Sequence, residues 1–219
     1  FSTDGPQLIY LPEVPFETER FVQDVAEVYD RRGRCHIAVS EGVSDKDGNP
    51  IGAQLIKGVQ TDAHGNVQLS GSGALGDQLA DLLKEKLTPA GGKPPRVRAD
   101  TFGYVQRCFP DQSPLDQQEA RGVGKFAARL AMEGHDSGSV AIVRTTELGV
   151  GQPYGAAFKR IELRDVAAKT KHMPPEFIEG HNGVSRLFVE YCKPLVGELP
   201  KFPGIERDVS LILDETLAW

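Results

Sequence analysis

The chain has 219 residues, 39% of them hydrophobic and 26% charged, and a formal charge of −6 at pH 7; a chain of this length buries a sizeable core, as one large domain or two small ones. Net negative charge argues against non-specific binding to nucleic acid or to a membrane surface, because both are anionic. No apolar run approaches the ~20 residues of a spanning helix, and the opening FSTDGPQLIY lacks the basic start and long apolar stretch of a signal peptide, so the expectation is a soluble protein of the cytosol.

Phe1 is no natural initiator, and the QLIYLPEVPF that soon follows reads as the middle of a domain, which predicts a fragment or a processed chain. QLIYL (7–11) is a short apolar run, a candidate buried strand closed by Pro12 and Pro15. Over residues 17–33, Phe21, Val25 and Val28 recur at helical spacing, with Arg31 and Arg32 at the end and Gly33 just beyond, which predicts a helix. CHIAVSEGV (35–43) predicts a parallel strand whose carboxyl end opens into a polar loop, the place where open α/β sheets hold ligands.

Residues 44–73 carry three turn signals, DKDGNP, DAHGN and SGSG, and read as a hairpin-like excursion. Leu75, Leu79, Leu82 and Leu83 make 72–87 an amphipathic helix, ended by TPAGGKPP. RVRADTFGYV (96–105) predicts a second strand, 116–134 a helix, and SGSVAIVRTT (137–146) another strand. The stretch 154–170 reads as a strand leading into a short helical segment, and 179–197 as helical in its second half. Strand and helix alternating in this way imply crossovers and a mainly parallel sheet.

Three scattered cysteines, Cys35, Cys108 and Cys192, have no CxxC spacing and read as reduced structural thiols. His36 lies in an apolar strand and reads as a core residue, and His135 falls in a turn. His172 and His181 lack metal-ligand spacing. SGSGALGD has glycines of the kind that cradle phosphate, but no Lys-Ser or Lys-Thr follows, and it reads as a loop.

The richest stretch for chemistry is RADTFGYVQRCFPDQSPLDQQEA (98–120). Arg98 opens its predicted strand, Tyr104 follows Gly103, and Arg107 enters the loop before the next helix. A guanidinium grips phosphate through two parallel hydrogen bonds, each worth about 1.5–3 kcal/mol. Arg107 is thus a candidate phosphate clamp, or a surface arginine paired with Asp111 or Asp116. Glu41, at the end of its strand and before Gly42, either accepts two sugar hydroxyls or serves as a turn acid.

Taken together, SEGV (40–43), RADTFGYVQR (98–107) and SPLDQQEA (113–120) resemble the carboxyl half of a phosphofructokinase, more narrowly its bacterial pyrophosphate-dependent branch, over about residues 1–201. The resemblance implies an incomplete three-layer α/β/α fold with a mainly parallel sheet. It implies that Glu41 binds sugar hydroxyls, that Arg98 reaches the 6-phosphate of fructose 6-phosphate from a neighbouring subunit, and that Tyr104 and Arg107 complete the phosphate pocket. Many ATP-dependent members have histidine where Tyr104 stands, and CFPDQSP replaces a shorter Gly-Gly-Ser-Pro turn.

Phosphoryl transfer also needs a base, a metal and a glycine-rich donor loop. The family's Gly-Gly-Asp and Thr-x-Asp-x-Asp motifs, and its Met-Gly-Arg, are absent from this chain. The resemblance therefore implies a parent enzyme that uses Mg²⁺ with pyrophosphate or ATP as a homodimer or homotetramer, while this chain holds no catalytic residue. A non-catalytic sugar-phosphate-binding regulatory subunit is the alternative, and an α/β domain with merely surface-paired arginines the plainest one. Residues 202–219 form an atypical tail that weakly resembles the start of the anticodon-binding domain of phenylalanyl-tRNA synthetase β chains.

Overall fold

A computed structural model of the chain describes residues 5–55, 74–103, 112–167 and 170–197. β1 (Leu8–Tyr10) runs parallel to β2 (Ile37–Val39), with Leu8 opposite Ile37 and Tyr10 opposite Val39. Between them α1 (Thr18–Arg32) buries Phe21, Val25 and Val28, the three apolar positions that share one helical face. Gly33 ends it at φ 69°, a left-handed conformation that returns its amide to the Tyr29 carbonyl.

The segment after β2 turns at Asp45–Gly48 and closes through a Ser44–Pro50 bridge into α2 (Ile51–Leu55). IGAQL is therefore helical where a hairpin-like excursion was expected, and the remainder of that excursion, residues 56–73, lies outside the described residues. α3 (Ala74–Lys86) buries Leu79, Ala80 and Leu83 against the same core, with Leu75 and Leu82 packed at its margin.

Residues 96–103 form no strand. Val97 and Ala99 are half-buried and Arg96, Arg98 and Asp100 exposed, the period-two alternation of an extended chain, yet Pro94 and Pro95 supply no amide donors to start a ladder. The segment is held by packing: Val97 meets the core and Ala99 lies against Gly76 of α3.

α4 (Pro114–Met132) starts two residues before the expected 116, with the Ser113 hydroxyl accepting the Asp116 amide and Pro114 in the first turn. β3 (Ser139–Arg144) and β4 (Ala156–Ile161) are antiparallel, joined without a helix. α5 (Leu163–Val166) and a single 3₁₀ turn (Pro175–Phe177) lead to β5 (Ile178–Glu179) and β6 (Gly183–Val184), again antiparallel. α6 (Arg186–Val196) closes the described chain. Among the described strands the parallel pairing is that of β1 with β2, because the later strands are connected by loops too short to carry a crossover.

The hairpin packs on α4 closely. Phe158 lies 6.2 Å from Phe126, ring centre to ring centre, and a β-carbon on Gly122 would sit 2.4 Å from the Phe158 ring. At the other end of β3, Arg144 is sandwiched between the rings of Tyr154 and Tyr191, at 4.7 and 4.9 Å, and donates to the Tyr191 carbonyl. The Tyr154 hydroxyl donates to buried Glu119 of α4 at 2.6 Å.

One carboxylate joins the beginning and end of the chain. Asp24 Oδ2 accepts the Tyr10 hydroxyl at 2.8 Å and the Asn182 amide at 2.9 Å, and lies 2.6 Å from His181 Nε2. Burial, reinforced by the bond to Asp24, pushes the Tyr10 hydroxyl far above its ordinary range. His36, expected in the core, is exposed just before β2, where its amide donates to Gln7 Oε1. Cys35 and Cys192 are free and half-buried, and burial raises both thiols; Cys108 lies outside the described residues.

Phe21, 1% exposed and ringed by Tyr10 and Phe16, is the bulkiest fully buried side chain among the described residues: Phe21→Ala should cost about 3–5 kcal/mol in urea unfolding, against less than about 0.5 for exposed Met132→Ala. Burial, then the bond to Glu119, pushes the Tyr154 hydroxyl up to about 12 from an ordinary 10.0. Its contribution to stability is complete below about pH 10 and is lost as pH rises toward 12, since the unfolded chain gives up the proton first. In an absorbance titration Tyr154→Phe should remove one late-ionising tyrosine and flatten the alkaline loss of stability.

Candidate functional site

The loop that carries Glu41 is built on β1. The Ser40 amide donates to the Tyr10 carbonyl at 3.0 Å, the Val43 amide returns to the Ser40 carbonyl at 3.3 Å, and the Gly42 amide reaches the Ser40 hydroxyl at 3.4 Å. Val43, 0% exposed, anchors the turn from below. Glu41 therefore projects outward, exposed, at the carboxyl end of the parallel pair. This is the edge where an α/β sheet presents side chains to a ligand.

The neighbouring turn is rigidified by its own acid. Asp45 Oδ1 accepts the Asp47 and Asn49 amides at 2.9 and 2.8 Å, and Oδ2 accepts Gln54 Nε2 at 2.7 Å. The Asn49 side chain, then its backbone amide, hold the Asp45 carboxyl below the usual carboxylate range. Phe16 binds this loop back to the first one through its amide and the Ser44 carbonyl, at 2.8 Å.

Arg98 is exposed on the extended segment beside α3, fixed by inward-facing Val97 and Ala99 on either side. Phe102, farther along, is 73% exposed. Glu41 and Arg98 thus border one core, that of β1, β2, α1 and α3, and both face solvent. Tyr104 and Arg107 lie outside the described residues, as do the candidate partner Asp111 and the first half, SGSG, of SGSGALGD, whose second half, expected as loop, opens α3.

A cavity of about 200 Å³ lies elsewhere, between α4 and the hairpin, lined among others by Leu130, His135, Asp136, Ser137, Val140 and Arg160. Its arginine is already engaged by Glu162 at 2.6 Å and by the Ser137 carbonyl, so the cavity offers little to an anion. Among the described residues no group of three His, Cys, Asp or Glu side chains is placed to hold a metal ion. Among them also no helix is long and apolar enough to cross a membrane.

Two polar clusters have no signature in the sequence: Asp24 with Tyr10, His181 and Asn182, and Glu119 with Tyr154, Arg144 and Tyr191. Their members lie far apart in the chain. The weak signal that was available is Asp24 and Glu119 themselves, acids placed on the core-facing side of amphipathic helices.

No family model matches the chain. It is 50% identical over 200 residues, 90% of its own length, to the pyrophosphate–fructose 6-phosphate 1-phosphotransferase of Rhodospirillum rubrum, of which it covers 46%. To the protein of the same name from Halomonas elongata it is 33% identical over 211 residues, again 46% of that protein. The crystal structure of a pyrophosphate-dependent phosphofructokinase from Nitrosospira multiformis superimposes on 92% of this chain and 43% of its own, with a TM-score of 0.65 and 26% identity. Nothing in these comparisons supports the likeness of 202–219 to a phenylalanyl-tRNA synthetase, and that tail lies outside the described residues. The chain spans about half the length of the relatives it matches: its fold is α/β, incomplete and phosphofructokinase-like, and along nine-tenths of its length it is similar to part of a pyrophosphate-dependent phosphofructokinase.

Proposed function

We propose that this chain is the carboxyl, acceptor-binding part of a 6-phosphofructokinase that moves a phosphoryl group from pyrophosphate to the 1-hydroxyl of fructose 6-phosphate. The observation that carries the reading is the 50% identity over 200 residues to a relative named for that reaction. Its name also favours pyrophosphate over ATP as donor.

In this reading the exposed Glu41 carboxylate accepts sugar hydroxyls at the carboxyl end of β2, and Arg98, Tyr104 and Arg107 hold the 6-phosphate. A guanidinium suits that task because it stays charged and offers paired donors in one plane. The exposure of Arg98 is compatible with a role across a subunit contact, in a homodimer or homotetramer. The 1-hydroxyl gives its proton to a base, its oxygen attacks the transferred phosphorus in line, and phosphate leaves. Base, donor loop and Mg²⁺ ligands are assigned to the other half of the parent, in the cytosol. The chain alone binds the sugar phosphate weakly and catalyses nothing.

The test is calorimetric titration of the chain with fructose 6-phosphate and with fructose, its mass checked by light scattering. Weak saturable binding is expected for the phosphate ester and none for fructose. Arg98→Ala and Arg107→Ala should each weaken it at least ten-fold, corresponding to at least one charge-assisted contact of about 1.5–3 kcal/mol. Binding indifferent to Arg107→Ala, or equal for fructose, would leave an α/β domain whose arginines only pair with surface acids. Strong binding by a stable natural homodimer would favour the regulatory-subunit alternative.

A further inference from the structure

Tyr10 is 5% exposed, and its ring meets Phe16 and Phe21 edge to face, each at 5.2 Å between centres. A phenylalanine would fill that place as well, so packing alone asks for no hydroxyl. Yet the hydroxyl donates to Asp24 Oδ2 at 2.8 Å, on a carboxylate whose side chain is only 15% exposed. Burying a phenol and a carboxylate together is costly, and replacing both partners by apolar groups of the same shape is often neutral for stability. What a buried polar pair secures is one position in place of several. Asn182 Nδ2 at 2.9 Å and His181 Nε2 at 2.6 Å converge on the same oxygen, so the carboxylate cannot turn without losing several partners. Burial, with the bond to Asp24, also keeps the Tyr10 hydroxyl protonated, and so a donor, far above its ordinary range.

The backbone of the same tyrosine carries the Glu41 turn. Tyr10 stands opposite Val39 where the β1–β2 pairing ends, and its carbonyl accepts the next amide, that of Ser40. Beyond Glu41 the turn is pinned at Gly42, where a β-carbon would lie 3.5 Å from Pro12, and at Ser44, whose carbonyl accepts the Phe16 amide at 2.8 Å. Pro12 and Phe16 belong to the segment that Tyr10 begins, and the Phe16 ring packs on the Tyr10 ring. The turn is thus held on its β1 side by residues whose place depends on Tyr10.

We propose that Asp24, acting through the Tyr10 hydroxyl, is a positioning residue for Glu41, fixing where that carboxylate stands to accept the hydroxyls of the sugar. This rests on the reading under Proposed function. The contacts run from Asp24 to the Glu41 turn without passing through Arg98, which stands on the segment beside α3. The effect therefore falls on the hydroxyl side of the ligand and not on its phosphate. Asp24 touches no ligand itself in this scheme; it sets the place of the residue that does.

Hydrogen exchange on the chain alone is the first measurement. Tyr10→Phe removes the hydroxyl and keeps the ring; it should speed exchange of the Ser40 and Val43 amides about five-fold, the worth of one neutral hydrogen bond, and leave the amides of 140–144 as they were. Unchanged exchange at Ser40 and Val43 overturns the proposal without need of any ligand. Equal acceleration in 140–144 overturns it too, since that is a general loss of stability. Calorimetry with fructose 6-phosphate follows, on Tyr10→Phe, on Glu41→Gln and on the double variant. Tyr10→Phe should weaken binding about five-fold where Glu41 is present, and not at all where Glu41→Gln has already been made. A tyrosine with a merely structural role would cost the same in both backgrounds, so equal losses, or no loss in either, overturn the proposal. Should Tyr10→Phe fail to fold, Asp24→Asn, equal in size and uncharged, replaces it in both experiments with the same expected results. The two readings fail separately: an unaltered chain that does not bind fructose 6-phosphate sinks the acceptor site, and exchange alone then decides whether Asp24 supports the Glu41 turn.

Discussion

Asp24 Oδ2 accepts hydrogen bonds from two ends of the chain at once. Its donors come from β1 and from the turn before β6, while the acid itself sits on α1 with its side chain 15% exposed. A carboxylate so nearly removed from water has to be satisfied by donors, and it organises whatever supplies them. Here it holds Asn182 against β1, where the Asn182 carbonyl accepts the Ile9 amide at 2.9 Å. β1 is thereby flanked on both sides, by β2 and by the returning chain. Glu13 adds a second tie in the same direction by accepting the Met173 amide at 2.9 Å.

The position of Glu41 follows from this. Its turn hangs from the Tyr10 carbonyl, and Tyr10 is fixed by its hydroxyl on Asp24 and by edge-to-face contacts with Phe16 and Phe21. The acid at the sheet's edge is thus aimed by a helix residue on the far side of the core. Arg98 is held less firmly, by two inward neighbours on a segment without a ladder. In the proposed reading that looseness is suited to a residue completed by another subunit: exposed charges in water bind anions feebly, and a pocket gains strength only once further walls exclude solvent.

Helices α1 and α3 were legible because each carries its own evidence locally: Phe21, Val25 and Val28 at one face and Gly33 at an end of α1, and Leu75, Leu79, Leu82 and Leu83 along α3; α2 carries no such pattern. The parallel β1–β2 pair was legible from two apolar runs separated by such a helix. The strand expected over 96–105 is absent from its described part, 96–103, which is extended but unpaired; pairing depends on what lies alongside, which a local pattern does not contain. His36 was misplaced for a related reason, since one position of difference at a strand's start decides which way a side chain faces. The candidate site rests on motif resemblance, which groups Glu41, Arg98, Tyr104 and Arg107; the last two lie outside the described residues. The Asp24 and Glu119 clusters stayed hidden because their partners are far away in sequence.

The close fit of Gly122 beneath Phe158 bears on where α4 gets its stability. α4 carries glycine at both 122 and 124, each costing a helix about 1 kcal/mol relative to alanine. Any side chain at 122 would push the Phe158 ring from its place beside Phe126. The helix gives up intrinsic propensity for that approach, and a helix weakened at its centre gains most of its stability from the surface it docks on. α4 therefore depends on the hairpin for its stability more than α1 and α3, free of interior glycines after their first turns, depend on any single neighbour.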